Sequence, residues 1–114
     1  MGGRLLDPDD SRVDLFTEAG ALRVVPVGEM DYAARSKLDQ AYLELTERAP
    51  RDVVVDLSAT SFLDSFGLGF LLRLQQWVAK SGHHMTIVAV PRRVRRALSL
   101  TGLDRILTVA AEPA

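Results

Sequence analysis

The chain has 114 residues, of which 47% are hydrophobic and 25% charged, and its formal net charge is −1. These values predict one soluble globular domain, and the near-neutral charge offers no general attraction for nucleic acid or an anionic membrane. The lack of cysteine excludes disulfides, thiolate zinc sites and cysteine nucleophiles. No apolar run is long enough to span a bilayer and no signal-peptide pattern opens the chain, so we expect a cytoplasmic protein without direct membrane insertion.

The first elements are a lead-in and a hairpin. Residues 1–12 combine glycine, proline and aspartate, which predicts a flexible N-terminal lead-in followed by one domain over 13–114. Apolar residues alternate from Val13, and another apolar run begins at Leu22 after the turn signal Ala19-Gly20-Ala21. This pattern is typical of a β-hairpin. Pro26 cannot donate a ladder hydrogen bond, so an edge or a bulge is expected near the end of the second strand.

The middle of the chain alternates helix and strand signals. A helical spacing that ends near Pro50 is formed by Ala34, Leu38, Ala41, Tyr42 and Leu45. The run VVVDL at 53–57 is β-branched and apolar, as in a buried central strand. A second helix is predicted to begin at Asp64 or Ser65 and to reach about Lys80, because Gly82 suits a left-handed position after a helix end.

The last third repeats this alternation. MTIVAV at 85–90 predicts a third core strand, Pro91 suits the start of a helix that ends at Gly102, and Ile106 to Val109 predict a short last strand. The order ββαβαβαβ predicts an α/β fold, a small mixed β-sheet with helices packed against it and right-handed crossovers.

A helical wheel of the second helix separates a core arc from an open arc. The core arc holds Gly67, Phe70, Leu71, Leu74, Trp77 and Val78. The open arc holds Ser65, Gly69, Leu72 and Gln76, so Leu72 is predicted to be an exposed apolar residue. Because glycine costs a helix interior about 1 kcal/mol relative to alanine, Gly69 indicates a bare spot where another surface can approach closely.

Two compatible interpretations exist for the start of this helix. Asp64 or Ser65 can be the N-cap that satisfies free backbone N–H groups. Ser65 can also be a phosphorylation site, where a phosphate would meet the positive helix end and add negative charge beside Asp64. Asp31, another plausible N-cap, closes the sequence GEMD between a strand and a helix. If both loops lie at one end of the sheet, Asp31, Asp64 and Ser65 form a rim there.

Other chemistries have little support. A serine nucleophile would need a base, and His83 and His84 follow the far end of the helix that begins near Ser65. Adjacent residues of a strand point to opposite faces, so the two histidines do not predict a metal site. The basic cluster Arg92, Arg93, Arg95 and Arg96 lacks interleaved aromatic residues and fits a solvated helix face better than a nucleic-acid site. No cofactor site and no phosphate loop are predicted, so an enzyme is not expected.

Three segments, over nearly the whole range Val13 to Val109, resemble the STAS domain and specifically the bacterial anti-sigma-factor antagonists. They are GEMD at 28–31, VVVDLSATSFLDSFGLGFLL at 53–72 and VPRRVRRALSLTGLDRIL at 90–107. The resemblance implies that Ser65 is phosphorylated by the partner, an anti-sigma factor that is also a serine kinase. It also implies that Asp31 and Asp64 border the phosphosite.

The implied mechanism is a partner switch in which the unphosphorylated protein binds the anti-sigma factor and releases a sigma factor. Phosphate on Ser65 ends binding, and a phosphatase restores it. The predicted partner-binding residues are Asp31, Asp64, Ser65, Phe66, Gly69, Leu72, Arg73 and Gln76. Phe66 departs from the family, which often has a small residue there, and the chain stops soon after its last strand, where many members carry another helix. The alternative is a non-phosphorylated STAS scaffold in a stress-signalling complex or a lipid-transport system.

Overall fold

The structure is a computed structural model that describes residues 10–111. Its strands are β1 (Arg12–Glu18), β2 (Ala21–Met30), β3 (Val53–Asp56), β4 (Thr60–Leu63) and β5 (Met85–Val88). Its helices are α1 (Arg35–Thr46), α2 (Ser65–Lys80) and α3 (Arg92–Leu100). Short 3₁₀ turns cover Tyr32–Ala34 and Leu103–Arg105.

The strands form one mixed sheet in the order β1-β2-β3-β5, with β4 also paired to β2. β1 and β2 are antiparallel, whereas β3, β4 and β5 all pair in parallel. β2 is long enough to pair with β3 through Leu22 to Val24 and with β4 through Gly28 to Met30. The predicted α/β class with a small mixed sheet is confirmed.

Three local features differ from the prediction. A further strand, β4, precedes α2. Its four residues are too few to show an alternation of apolar and polar side chains. The predicted last strand is reduced to one bridge between Val109 and Ile87, because Ile106 follows a 3₁₀ turn and bonds back to Leu103. At the N-terminus Ser11 is buried and Arg12 opens β1, so both belong to the fold; residues 1–9 of the predicted lead-in lie outside the described residues.

The pairing of β2 is irregular near its end, but β2 is not an edge strand. It is paired on both sides, and its register with β4 shifts between Gly28 and Glu29, where the extra residue, Ser61, lies on β4. Pro26 falls between the residues that pair with β3 and those that pair with β4, where its missing N–H costs no ladder bond on that side. Its carbonyl accepts the hydroxyl of buried Thr60 at 2.8 Å.

One face of the sheet packs with the three helices in a single core. Alternate strand residues such as Leu22, Val55 and Ile87 are fully buried in that core, as are helix residues of all three helices. The opposite face keeps half-buried residues and an ion pair between Arg23 and Asp56 at 2.6 Å. Burial opposes ionisation of the Asp56 carboxyl, but hydrogen bonds from Ser58 and the pair with Arg23 outweigh it and lower its pKa.

Candidate functional site at the start of α2

Asp64, not Ser65, is the N-cap of α2. Its Oδ1 atom accepts the backbone N–H of Phe66 at 2.7 Å, which satisfies one of the free donors of the first turn. Ser65 is therefore the first residue of the helix, and it is exposed. Since capping does not require the Ser65 hydroxyl, this group is left on the surface at the positive end of the helix.

Asp64 also holds two loops together. Its Oδ2 atom accepts the backbone N–H of Tyr32 at 3.2 Å, and its own N–H donates to the carbonyl of Met30 at 3.3 Å. The loops after β2 and β4 are neighbours because Met30 lies opposite Leu63 in the parallel pair. Asp31, in the first of these loops, caps the 3₁₀ turn by accepting the Ala34 N–H at 3.3 Å. The structure thus places Asp31, Asp64 and Ser65 at one end of the sheet.

The first turn of α2 lies tightly against the end of β2. A Cβ atom on Gly67 would stand 2.6 Å from the Met30 carbonyl oxygen and 2.5 Å from a methyl carbon of Leu63. Real Cβ atoms do not tolerate such distances, so only glycine permits this approach. The backbone around Ser65 is therefore fixed by packing as well as by the cap.

An exposed aromatic pair accompanies Ser65. The rings of Tyr32 and Phe66 meet edge to face with centroids 5.4 Å apart, and they remain 58% and 42% exposed. The guanidinium carbon of Arg35 lies 3.7 Å from the centroid of the Tyr32 ring. The sequence prediction included Phe66 but missed Tyr32 and Arg35; the available signal was an aromatic residue directly after the capping Asp31.

The open arc of α2 is only partly as predicted. Gly69 has no heavy atom within 4 Å of a Cβ position and Gln76 is exposed. Leu72, in contrast, is half-buried and packs against the core, so its prediction as an exposed residue was wrong. The helical wheel assigned burial to one arc of α2 only. Leu72 lies outside that arc, but its side chain still packs against the core.

Arg73 is occupied within the molecule. Its guanidinium binds the Asp39 carboxylate of α1 at 2.9 Å and lies 4.8 Å from the centroid of the Tyr42 ring. Both contacts tie α2 to α1. The residue stands on the flank of α2 that faces α1, beside the open arc.

The remaining polar clusters lie elsewhere. His83 and His84 precede β5, where the His84 N–H and, to a lesser extent, the His83 imidazole lower the pKa of the Asp52 carboxyl. Within residues 10–111, no three His, Asp or Glu side chains are grouped closely enough to hold a metal ion. Of the arginine cluster, Arg92, Arg93 and Arg96 are exposed as predicted, but Arg95 is half-buried and donates to the Ala110 carbonyl at 3.2 Å.

None of the helices in residues 10–111 has the length and apolar character needed to cross a membrane.

The protein-family model of the STAS domain matches residues 13–113. The chain is 32% identical to the anti-sigma-F factor antagonist RsfB of Mycobacterium tuberculosis, over 86% of this chain and 80% of that one. It is 27% identical to the anti-sigma-B factor antagonist of Staphylococcus epidermidis, over 85% and 90%.

A solved structure of the same class of protein is similar in fold. The crystal structure of an anti-sigma factor antagonist from Mycobacterium paratuberculosis matches with a TM-score of 0.82 and 30% identity, over 95% of this chain and 92% of that one. The predicted resemblance to the STAS domain and to anti-sigma-factor antagonists is thereby confirmed. Since the family model matches almost the whole chain, the protein belongs to the STAS-domain family.

Proposed function

We propose that this protein is an anti-sigma-factor antagonist that binds an anti-sigma factor through the start of α2 and is switched off by phosphorylation of Ser65. The similarity to antagonists of anti-sigma factors supports the class of partner. The observation that carries the site is the exposed Ser65 hydroxyl on the first residue of α2, which the cap leaves unused. The anti-sigma factor is proposed to be the serine kinase, and a phosphatase restores the binding form in the cytoplasm.

The charge of a phosphate explains why it would act on binding. A phosphoserine adds about −1.5 to −2 charges, and Ser65 follows the Asp64 carboxylate directly and lies at the same sheet end as Asp31. Inside a contact, this added charge must lose its water shell. The affinity is expected to fall by about a hundredfold, which corresponds to about 2.7 kcal/mol.

The same phosphate would leave the fold intact. The positive end of a helix stabilises an anion in the first turn by about 0.3 to 1 kcal/mol. The cap does not depend on Ser65, and the close packing at Gly67 lies on the opposite side of the turn, against β2. The phosphorylated protein is therefore expected to be folded but unable to bind.

The proposed contact surface follows the open arc of α2. Ser65, Phe66, Gly69 and Gln76 supply its accessible part, and Gly69 lets the partner approach the helix backbone. Leu72 adds only the part of its side chain that the core leaves accessible. Asp31, Asp64 and Arg73 are proposed to act mainly by holding the loops and α1 in place, because their polar atoms already have partners inside the molecule.

Binding of Ser65 variants tests this function. We expect Ser65→Ala to bind a purified cognate anti-sigma factor with the parent's affinity and Ser65→Asp to bind about a hundredfold more weakly, as measured by titration calorimetry. Incubation with the anti-sigma factor and ATP should place one phosphate on the parent and none on Ser65→Ala, as detected by mass spectrometry. Equal binding by both variants would contradict the switch. Binding without any phosphorylation would favour the scaffold alternative.

A further inference from the structure

Beside Ser65, the exposed rings of Tyr32 and Phe66 contact each other. Large apolar side chains that stay exposed and contact each other mark interaction sites more often than isolated ones do. Tyr32 lies in the 3₁₀ turn after β2 and Phe66 lies in the first turn of α2, yet the same carboxylate, that of Asp64, accepts the backbone N–H of both. The position of the pair is therefore set by the same group that caps α2.

A cation completes this cluster. The Arg35 guanidinium stacks on the Tyr32 ring and donates to the Tyr32 carbonyl at 2.9 Å. Among residues 10–111, Arg35 has no carboxylate within ion-pair distance, although Asp31 and Asp39 lie four residues away on either side. Asp39 is already bound to Arg73 of α2, on the flank that faces α1. Arg35 therefore presents an exposed positive charge against the ring of Tyr32, which in turn contacts the ring of Phe66.

We infer that Arg35, Tyr32 and Phe66 form a docking element for a segment of the anti-sigma factor that presents an apolar side chain next to a carboxylate. The inference rests on the proposed function and adds the chemistry of the partner. The rings supply apolar surface at little conformational cost, since each ring is held by a neighbour before binding. The guanidinium supplies charge complementarity for an aspartate or glutamate of the partner.

The same chemistry explains how a phosphate at Ser65 would act on binding. Ser65 adjoins Phe66, so a phosphate there would bring negative charge next to the element that attracts the partner's carboxylate. It would repel that carboxylate and compete with it for Arg35. An acidic partner segment thus accounts for binding in one state and for its loss in the other.

The test uses the full chain, titrated in turn with each purified anti-sigma factor that its own genome encodes. Phe66→Ala and Tyr32→Ala are expected to weaken binding about tenfold each, and Tyr32→Phe, which keeps the ring, less than about twofold. Arg35→Gln is expected to weaken binding about tenfold at about 50 mM NaCl and clearly less at about 500 mM. The matched controls are Phe16→Ala, which is 52% exposed on β1, and Arg93→Gln on α3. Both are expected to bind within about twofold of the parent.

Each outcome decides the inference. If the aromatic and Arg35 variants bind like the two controls while Ser65→Asp loses binding, the docking element is wrong and the proposed function stands. If Phe66→Ala and Arg35→Gln lose binding while Ser65→Asp binds normally, the element stands and the switch fails. If no anti-sigma factor binds the parent, both fail. Melting temperatures within a few degrees of the parent's check that each variant is folded.

Discussion

The two ends of α2 are both capped by regular motifs, but they differ in what surrounds them. At the first end, Asp64 caps the helix and accepts an N–H of the neighbouring loop. Gly67 there lies against the carbonyl of Met30. At the last end, the N–H groups of Gly82 and His83 donate to the carbonyls of Ala79 and Val78, a Schellman motif. A Cβ on Gly82 would meet nothing within 4 Å, although its φ is +78°.

Glycine is thus favoured at both ends, for different reasons. At Gly82 the constraint is the left-handed backbone conformation, which favours glycine. Gly67 has no unusual φ; there the constraint is the close approach of β2, which leaves no room for a Cβ atom. The enclosed end is also the one that carries Ser65 and the aromatic pair. We infer that close packing keeps these side chains in one arrangement, which lowers the entropic cost of binding.

The largest effect that separates the two ends is expected from glycine replacement. Gly67→Ala should lower the free energy of unfolding by about 3 kcal/mol, because a backbone carbonyl cannot move away as a side chain can. Gly82→Ala should lower it by about 1 kcal/mol, the strain of a left-handed alanine. Urea denaturation followed by circular dichroism measures both values. Similar losses at the two positions would show that the first turn of α2 is not tightly packed.

A smaller effect is expected from the cap. Asp64→Ala removes acceptors for two backbone N–H groups and should lower the free energy of unfolding by about 2 kcal/mol. Asp31→Ala, which removes one acceptor, is the matched control and should cost about 1 kcal/mol. Thermal denaturation of both variants and the parent gives the comparison. A loss for Asp64→Ala no greater than that for Asp31→Ala would contradict the double role of Asp64.

The smallest effect is a gain at the open arc. Gly69→Ala should raise the free energy of unfolding by about 1 kcal/mol, because alanine favours helix and its methyl group meets no neighbour. The same variant should bind the anti-sigma factor more weakly if the partner approaches the helix closely there. Unfolding and binding measured on one preparation separate the two expectations. A destabilised Gly69→Ala would mean that this surface is covered within the chain.

Predictions from sequence were most successful where the signal is local. The end of α2 followed from Gly82, the end of α3 from Gly102, and the capping position from the pair Asp64-Ser65, because backbone conformation and capping depend on a few adjacent residues. Leu72 was misplaced because its burial depends on elements remote in sequence.

Periodicity and capping are properties of neighbouring residues, so the amino-acid sequence was enough to predict the α/β class, the capped start of α2 and the exposure of Ser65. The pairing of β4 with β2, which brings two loops together, is visible only in the folded chain. From that pairing follow the second bond of Asp64, the close approach at Gly67 and the contact of Tyr32 with Phe66. Each joins residues more than 30 positions apart, and such contacts form only when the sheet sets the distance between them.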